Sequence, residues 1–326
     1  MKKLFFAFAA VAAMLSSCSK DDAPINVPYG DEKIVSFEVS SPELTTRYGE
    51  GTTATVLEYW VYEVPASTGV FVTPPVLVPN LSGSETLVDK QATVNIKLIQ
   101  GRSYNILFWA HAPGISDTEG SSLGIGASTA VYHVNPTTAS MSVDYEKMKA
   151  NQENYDAFFK YHNVGVITSS TNGGTVELRR PFAQVNVATS DTADALKADL
   201  DVKYTGITVN DIYTTLNFRD GSVSNPQSVN FDITEKATGV FSHNDVNYDI
   251  ISMNYLLVND KTLVDLNLKL QEYTTAGAEL LTREYSKISV QRNHRTYILG
   301  DIYTQPAQFD VIIKEDFVGN LYEDEN

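Results

Sequence analysis

The sequence predicts an all-β chain with a β-sandwich in each half. Three observations lead there. Apolar and polar residues alternate with period two in many short stretches. Clusters of Gly, Pro, Asn and Asp separate these stretches and read as turns. The 18 Tyr and 14 Phe, with many Val, Ile and Thr, suit a pleated surface better than a helix. Helical candidates are few, and many short strands with few helices pack as sandwiches.

Lys2 and Lys3 open the chain, residues 4–15 are almost wholly apolar, and Leu15-Ser16-Ser17-Cys18 follows. A charged start, a short apolar run and small residues form the layout of an export signal. The run falls short of the ~20 residues needed to span a bilayer. Leu-Ser-Ser-Cys resembles the lipobox of bacterial lipoproteins. The resemblance implies removal of residues 1–17 and acylation of Cys18, the single cysteine of the chain. Acyl chains on Cys18 would then hold the protein to the outer membrane, each buried CH₂ contributing about 0.8 kcal/mol. Ser19-Lys20-Asp21-Asp22 is similar to the acidic tether of Bacteroidota lipoproteins carried on the outer face, which implies surface exposure. Residues 18–33 are polar, contain Pro24 and Pro28, and read as a flexible tether.

Val35, Phe37 and Val39 then share one face of a strand, with Ser36 and Glu38 opposite and Ser41-Pro42 at its end. A second strand covers Ala54 to Val64. Residues 70–79, with Pro74 and Pro75, read as loop or edge. Ala92, Val94, Ile96 and Leu98 alternate with Thr93, Asn95 and Lys97, and residues 104–110 form a buried strand. Residues 111–127 read as a long loop, followed by short strands at 130–133 and 141–143. Asp144 to Tyr161 is a helical candidate, polar except for Tyr145, Met148, Tyr155, Phe158 and Phe159. Asn172-Gly173-Gly174 is a turn and the expected boundary between domains 34–172 and 173–326.

The second half opens on a strand over residues 175–187, with Pro181 at an edge or bulge. A short helix is expected from Asp191 to Leu200, with Asp191 as N-cap and Ala193, Leu196 and Leu200 on one face. Strands follow near 204–209, 212–218, 228–233, 248–258, 262–271, 283–290, 295–303 and 308–314. Val264, Leu266, Leu268 and Leu270 give the cleanest alternation among them.

Composition narrows the function classes. The formal charge is −16, which opposes nucleic-acid or anionic-lipid binding, since these need clustered Lys and Arg. With Cys18 acylated no disulfide can form, so stability rests on core packing.

Catalytic and metal chemistry finds little support. Gly120-Ser121-Ser122-Leu123-Gly124 fits the Gly-x-Ser-x-Gly pattern but lacks the strand before it and the helix after it that a nucleophile elbow requires. His111, His133, His162, His243 and His294 are scattered without zinc-ligand spacing. Residues 244–249, Asn-Asp-Val-Asn-Tyr-Asp, lack the Gly and distal Glu of a calcium loop and read as a turn. Asp191-Thr192-Ala193 resembles the O-glycosylation acceptor of exported Bacteroidota proteins and fits a helix cap equally well. Trp60 and Trp109 sit in apolar strands and are expected in the core rather than on a sugar-stacking platform. No catalytic residue, metal site or cofactor is expected.

Glu58-Tyr59-Trp60-Val61-Tyr62-Glu63, Arg179-Arg180-Pro181-Phe182-Ala183-Gln184 and the segment Arg292-Asn293-His294-Arg295-Thr296-Tyr297-Ile298-Leu299-Gly300-Asp301 resemble the fimbrillin-like proteins of Bacteroidales, the type V pilus subunits and their lipoprotein relatives. The resemblance covers about Val35 to Ile313. It implies two transthyretin-like β-sandwich domains and a surface precursor cut after an arginine that follows the first strand. Loss of that strand opens a groove that an extended segment of another subunit fills. The matching position is Arg47, in polar Leu44-Thr45-Thr46-Arg47-Tyr48-Gly49. The implied donor is the last strand, through Phe309, Val311 and Ile313; a strand that completes its own domain is the other reading. The expected partners are the outer membrane, other pilus subunits or further copies of the chain, and surface ligands. A structural or adhesive pilus component is thus the leading expectation, and a non-catalytic glycan-binding surface lipoprotein the alternative.

Overall fold

A computed structural model describes residues 30–41, 54–65, 74–118, 129–273, 278, 280–305 and 308–314. Their strands form four sheets, numbered here in chain order. The first sandwich faces a three-stranded sheet against a five-stranded one. The smaller sheet holds β1 (Glu32–Ser40), β5 (Gln91–Ile99) and β11 (Gly174–Glu177), in the order β11-β1-β5. The larger holds β2 (Val56–Val64), β3 (Val76–Leu77), β4 (Gly83–Thr86), β6 (Ser103–His111) and β10 (Ala157–Val166), in the order β10-β6-β2-β3 with β4 also on β2.

In the second sandwich one sheet runs β18-β17-β13-β9-β8-β7, with β14 also on β13. Its members are β7 (Ser116–Thr118), β8 (Tyr132–Asn135), β9 (Ser140–Val143), β13 (Tyr204–Asn217), β14 (Val223–Glu235), β17 (Lys261–Gln271) and β18 (Leu280–Gln291). The other sheet runs in the order β15-β16-β12-β19-β20. It holds β12 (Phe182–Thr189), β15 (Val240–His243), β16 (Val246–Leu257), β19 (Arg295–Gly300) and β20 (Phe309–Lys314). The fold is all-β, with one short helix, α1 (Thr192–Lys197), among the described residues.

The middle of the larger sheet of the first sandwich, β2 and β6, is buried on both faces, and its sequence encodes this. Tyr104, Ile106, Phe108 and Ala110 point with Leu57, Val61 and Phe158 into the core of the first sandwich. Their neighbours Leu107 and Trp109 point with Trp60 and Tyr62 the other way, into the core of the second. That is why residues 104–110 show no polar alternation. Trp109 is fully buried; its indole NH donates to Ser116 Oγ at 3.1 Å and its ring packs edge-on to Tyr132. The expected core role of both tryptophans agrees with this placement.

The two sandwiches interleave along the chain. β7, β8 and β9, from residues 116–143, join the second sandwich through the β9–β13 pairing. β11, which begins at Gly174, returns to the first sandwich beside β1. The boundary expected at 172/173 therefore falls inside the smaller sheet of the first sandwich.

Two local expectations need correction. Residues 144–161 are not a helix: one 3-10 turn spans Glu153–Tyr155, and β10 begins at Ala157. Phe158 and Phe159 serve opposite cores, a period of two that a helix cannot supply. The short helix does form at 192–197, but it buries Ala195 and leaves Leu196 half exposed. Asp191 holds the N-cap position, and its carbonyl accepts from the Ala195 NH at 2.9 Å, but its side chain makes no capping bond. Its carboxylate accepts from the Thr304 NH at 2.7 Å and from the Thr304 hydroxyl at 2.8 Å, tying the end of β12 to the turn after β19. Thr192 Oγ1 is buried, which does not suit a glycosylation acceptor. Asn244 and Asp245, both with positive φ, form the two-residue turn between β15 and β16.

Candidate functional site

The strand that the resemblance marks for removal is β1, so its seat is the candidate site. β1 is the central strand of its sheet. It pairs antiparallel with β5 along its whole length, from Glu32 opposite Ile99 to Ser40 opposite Gln91. On its other side it pairs in parallel with β11, from Phe37 opposite Gly174 to Ser40 opposite Glu177. Val35, Phe37 and Val39 are each no more than 1% exposed. The outward residues are polar and paired: Ser36 Oγ donates to Asn95 Oδ1 at 2.6 Å, and Thr93 Oγ1 donates to Glu38.

Phe37 is the anchor. Its ring lies 5.8 Å from that of Phe108 and meets His162 edge-on at 5.9 Å. Gly173 crosses directly over it: a Cβ there would come within 2.3 Å of the Ser36 carbonyl and 2.6 Å of the Phe37 ring. The segment leading into β11 thus needs glycine at 173 to let the chain close over β1. The sequence shows the turn but not what it covers.

Burial, and then Lys160, hold the His162 imidazole below its ordinary pKa. The unfolded chain takes up this proton near pH ~6.5, whereas the folded chain does so only at lower pH. Stability through His162 therefore falls as pH drops below about 6.5. Glu153, pushed up to about 7 chiefly by burial, acts with the opposite sign over the same range. Melting curves between about pH 7.5 and 5 should therefore show a smaller acid loss in His162→Gln than in the native chain. Parallel curves would remove His162 from the account.

The other candidate residues divide. Phe309, Val311 and Ile313 lie on β20, which among the described residues pairs only with β19 and forms the edge of its sheet. Phe309 meets Tyr285 edge-on at 4.9 Å and Ile312 packs on the core, while Val311 is 39% exposed. In this structure β20 completes its own domain. Cys18, Arg47, the Gly120–Gly124 pattern and the acidic tail 315–326 lie outside the described residues.

Two of the three motif segments come together. β12 and β19 pair in parallel, Gln184 opposite Arg295. Just before them the Arg180 NH donates to Asn293 Oδ1 at 3.3 Å, and the Asn293 NH donates to the Phe182 carbonyl at 2.8 Å. A family model of unknown function, DUF6562, matches residues 77–326 and so takes in this junction. The chain belongs to the DUF6562 family. β1 lies N-terminal to the part of the DUF6562 chain that the model covers. No curated protein matches the DUF6562 chain. Among solved structures it aligns with a candidate polysaccharide-binding protein (DUF1812) of Bacteroides thetaiotaomicron at 12% identity, over 85% of this chain and 95% of that one, with a TM-score of 0.48. A candidate adhesin of the same organism aligns at 11% identity, over 88% and 96%, with a TM-score of 0.46. A fimbrial assembly protein of Parabacteroides distasonis aligns at 10% identity, over 87% and 95%, with a TM-score of 0.43.

Proposed function

We propose that this DUF6562 chain is a surface-exposed fimbrillin-like lipoprotein, a structural or adhesive component of pili built by strand addition between subunits. The observation that carries the reading is the seat of β1. A central strand with a continuous apolar face leaves, when removed, a slot with hydrogen-bonding edges on both sides. An incoming strand of matching alternation would satisfy both edges and the core at once. β20 is suited to supply it, because an edge strand has one ladder to break rather than two. Cys18 is the lipid anchor during export, and Arg47, seven residues beyond the end of β1, is the processing position. If Arg47 is cut, the acylated residue leaves with β1 and the lipid serves only transport.

N-terminal sequencing of the surface-released protein tests this. A mature form that begins at Tyr48 is expected, and Arg47→Ala should retain residues 19–47. A surface form that always keeps those residues, with wild-type Arg47, would remove strand release from the proposal.

A further inference from the structure

A second site lies on the seam between the sandwiches. A cleft of about 490 Å³ opens where β10 meets three turns of the second sandwich: 218–221, 258–260 and 291–294. Its volume falls in the range of small-molecule sites, which favour domain junctions.

The charge of the cleft opposes that of the chain. In a protein of net charge −16, Lys160, Arg179, Arg219 and Arg292 all line it. Two acids are present, but Asp220 turns back on its own loop. Its carboxylate accepts from the Ser222 NH at 2.9 Å and the Ser222 hydroxyl at 2.7 Å, which lowers its pKa. Asp260 is the remaining acid, and it acts on Arg292.

The arginines are held in place with donors to spare. Arg292 donates Nε and Nη2 to the Val258 carbonyl, at 3.2 and 2.9 Å, and Nη1 to the Gly221 carbonyl at 2.7 Å. A guanidinium has five N–H donors, so two remain. Burial lowers the Arg292 pKa, a sign that its charge is poorly solvated. Arg219 lies with Cζ 6.0 Å from the Tyr62 ring, and its Nε is buried with no hydrogen bond among the described residues. An anion would satisfy these donors.

The rest of the lining is mixed: Phe159 and Tyr161 are half-buried, with buried Phe218 behind Phe159, and Gln291, Asn293 and His294 add polar groups. Phe159 and Phe218 pack together at 5.3 Å. Guanidinium forks match the two oxygens of a carboxylate or sulfate, and aromatic faces match the apolar face of a ring.

We propose that this cleft binds an acidic saccharide, a sugar ring carrying a carboxylate or sulfate. The site does not depend on strand release, so a chain that fails every test of Arg47 processing would still possess it.

Calorimetric titration of the intact chain with a glucuronate-containing disaccharide, glucose 6-sulfate and the neutral glucose disaccharide tests the proposal. Binding of at least one acidic probe and none of the neutral one is expected. Arg219→Gln should weaken that binding about tenfold, the scale of one charge-assisted hydrogen bond. Lys160 and Arg179 are exposed, so Lys160→Gln/Arg179→Gln tests the charge without disturbing the core and should also weaken binding. The proposal is overturned by equal binding of the neutral sugar, by unchanged affinity in both variants, or by no binding of either acidic probe.

Discussion

Asp156→Ala is expected to lower the unfolding free energy by about 3–5 kcal/mol, the cost of leaving a buried charge without its partner. Asp156 sits just before β10 and Arg180 just before β12, so the pair ties one sandwich to the other. Arg180 Nε donates to Oδ1 at 2.6 Å and Nη2 to Oδ2 at 2.7 Å, with both side chains no more than 1% exposed. Burial pushes the Asp156 carboxyl up, and the guanidinium pulls it back. The Arg180 guanidinium also lies 4.5 Å from the Phe158 ring, so it cannot swing to solvent without opening the core. Chemical denaturation checks the single variant. The double replacement Asp156→Leu/Arg180→Met should recover much of the loss, since an apolar pair of similar volume often matches a buried ion pair. A single variant within about 1 kcal/mol of wild type would mean that water reaches Arg180, a surface pair being worth no more than that.

No local signal in the sequence announces this pair. The two residues lie 24 positions apart, Asp156 falls inside the 144–161 segment that reads as a helical candidate, and Arg180 falls inside the strand read over 175–187. What was legible is what depends on neighbours along the chain. β5 and β17 face solvent on one side and a core on the other, so alternation reveals them fully. The strands read at 204–209 and 212–218 are one strand, β13, interrupted by a bulge where Asp211 takes φ +63°. The bulge breaks the alternation without ending the strand. β10 was illegible as a strand because buried Phe158 stands beside half-buried Phe159, and exposed Lys160 and Asn163 fall on opposite faces, so no period of two shows along it. At the candidate site, the face of β1 was evident from Val35, Phe37 and Val39. Its second partner, β11, was not, because that pairing spans more than 130 residues and its signal is Gly173, which reads only as a turn.

Removal of β1 should have the largest effect of all. Phe37→Ala alone is expected to cost about 3–5 kcal/mol, the usual range for a fully buried aromatic. Losing the whole strand also uncovers the inward faces of Leu57, Val61, Ile106 and Phe108 and frees the edges of β5 and β11 together. Exposed apolar surface beside open edges is the combination that drives strand pairing between chains. A chain starting at Tyr48 should therefore leave the monomer pool, as light scattering would register, and bind a hydrophobic dye that the full chain ignores. A peptide covering residues 32–40, added in excess, should return it to monomer. The anchor supplies the decisive control: Phe37 fills the core, so a peptide with Phe37→Ala should restore far less. A Tyr48-start chain that stays monomeric and silent to the dye would mean that the first sandwich closes over the vacancy. In that case β1 would be an ordinary structural strand, and assembly by strand addition would fall with it.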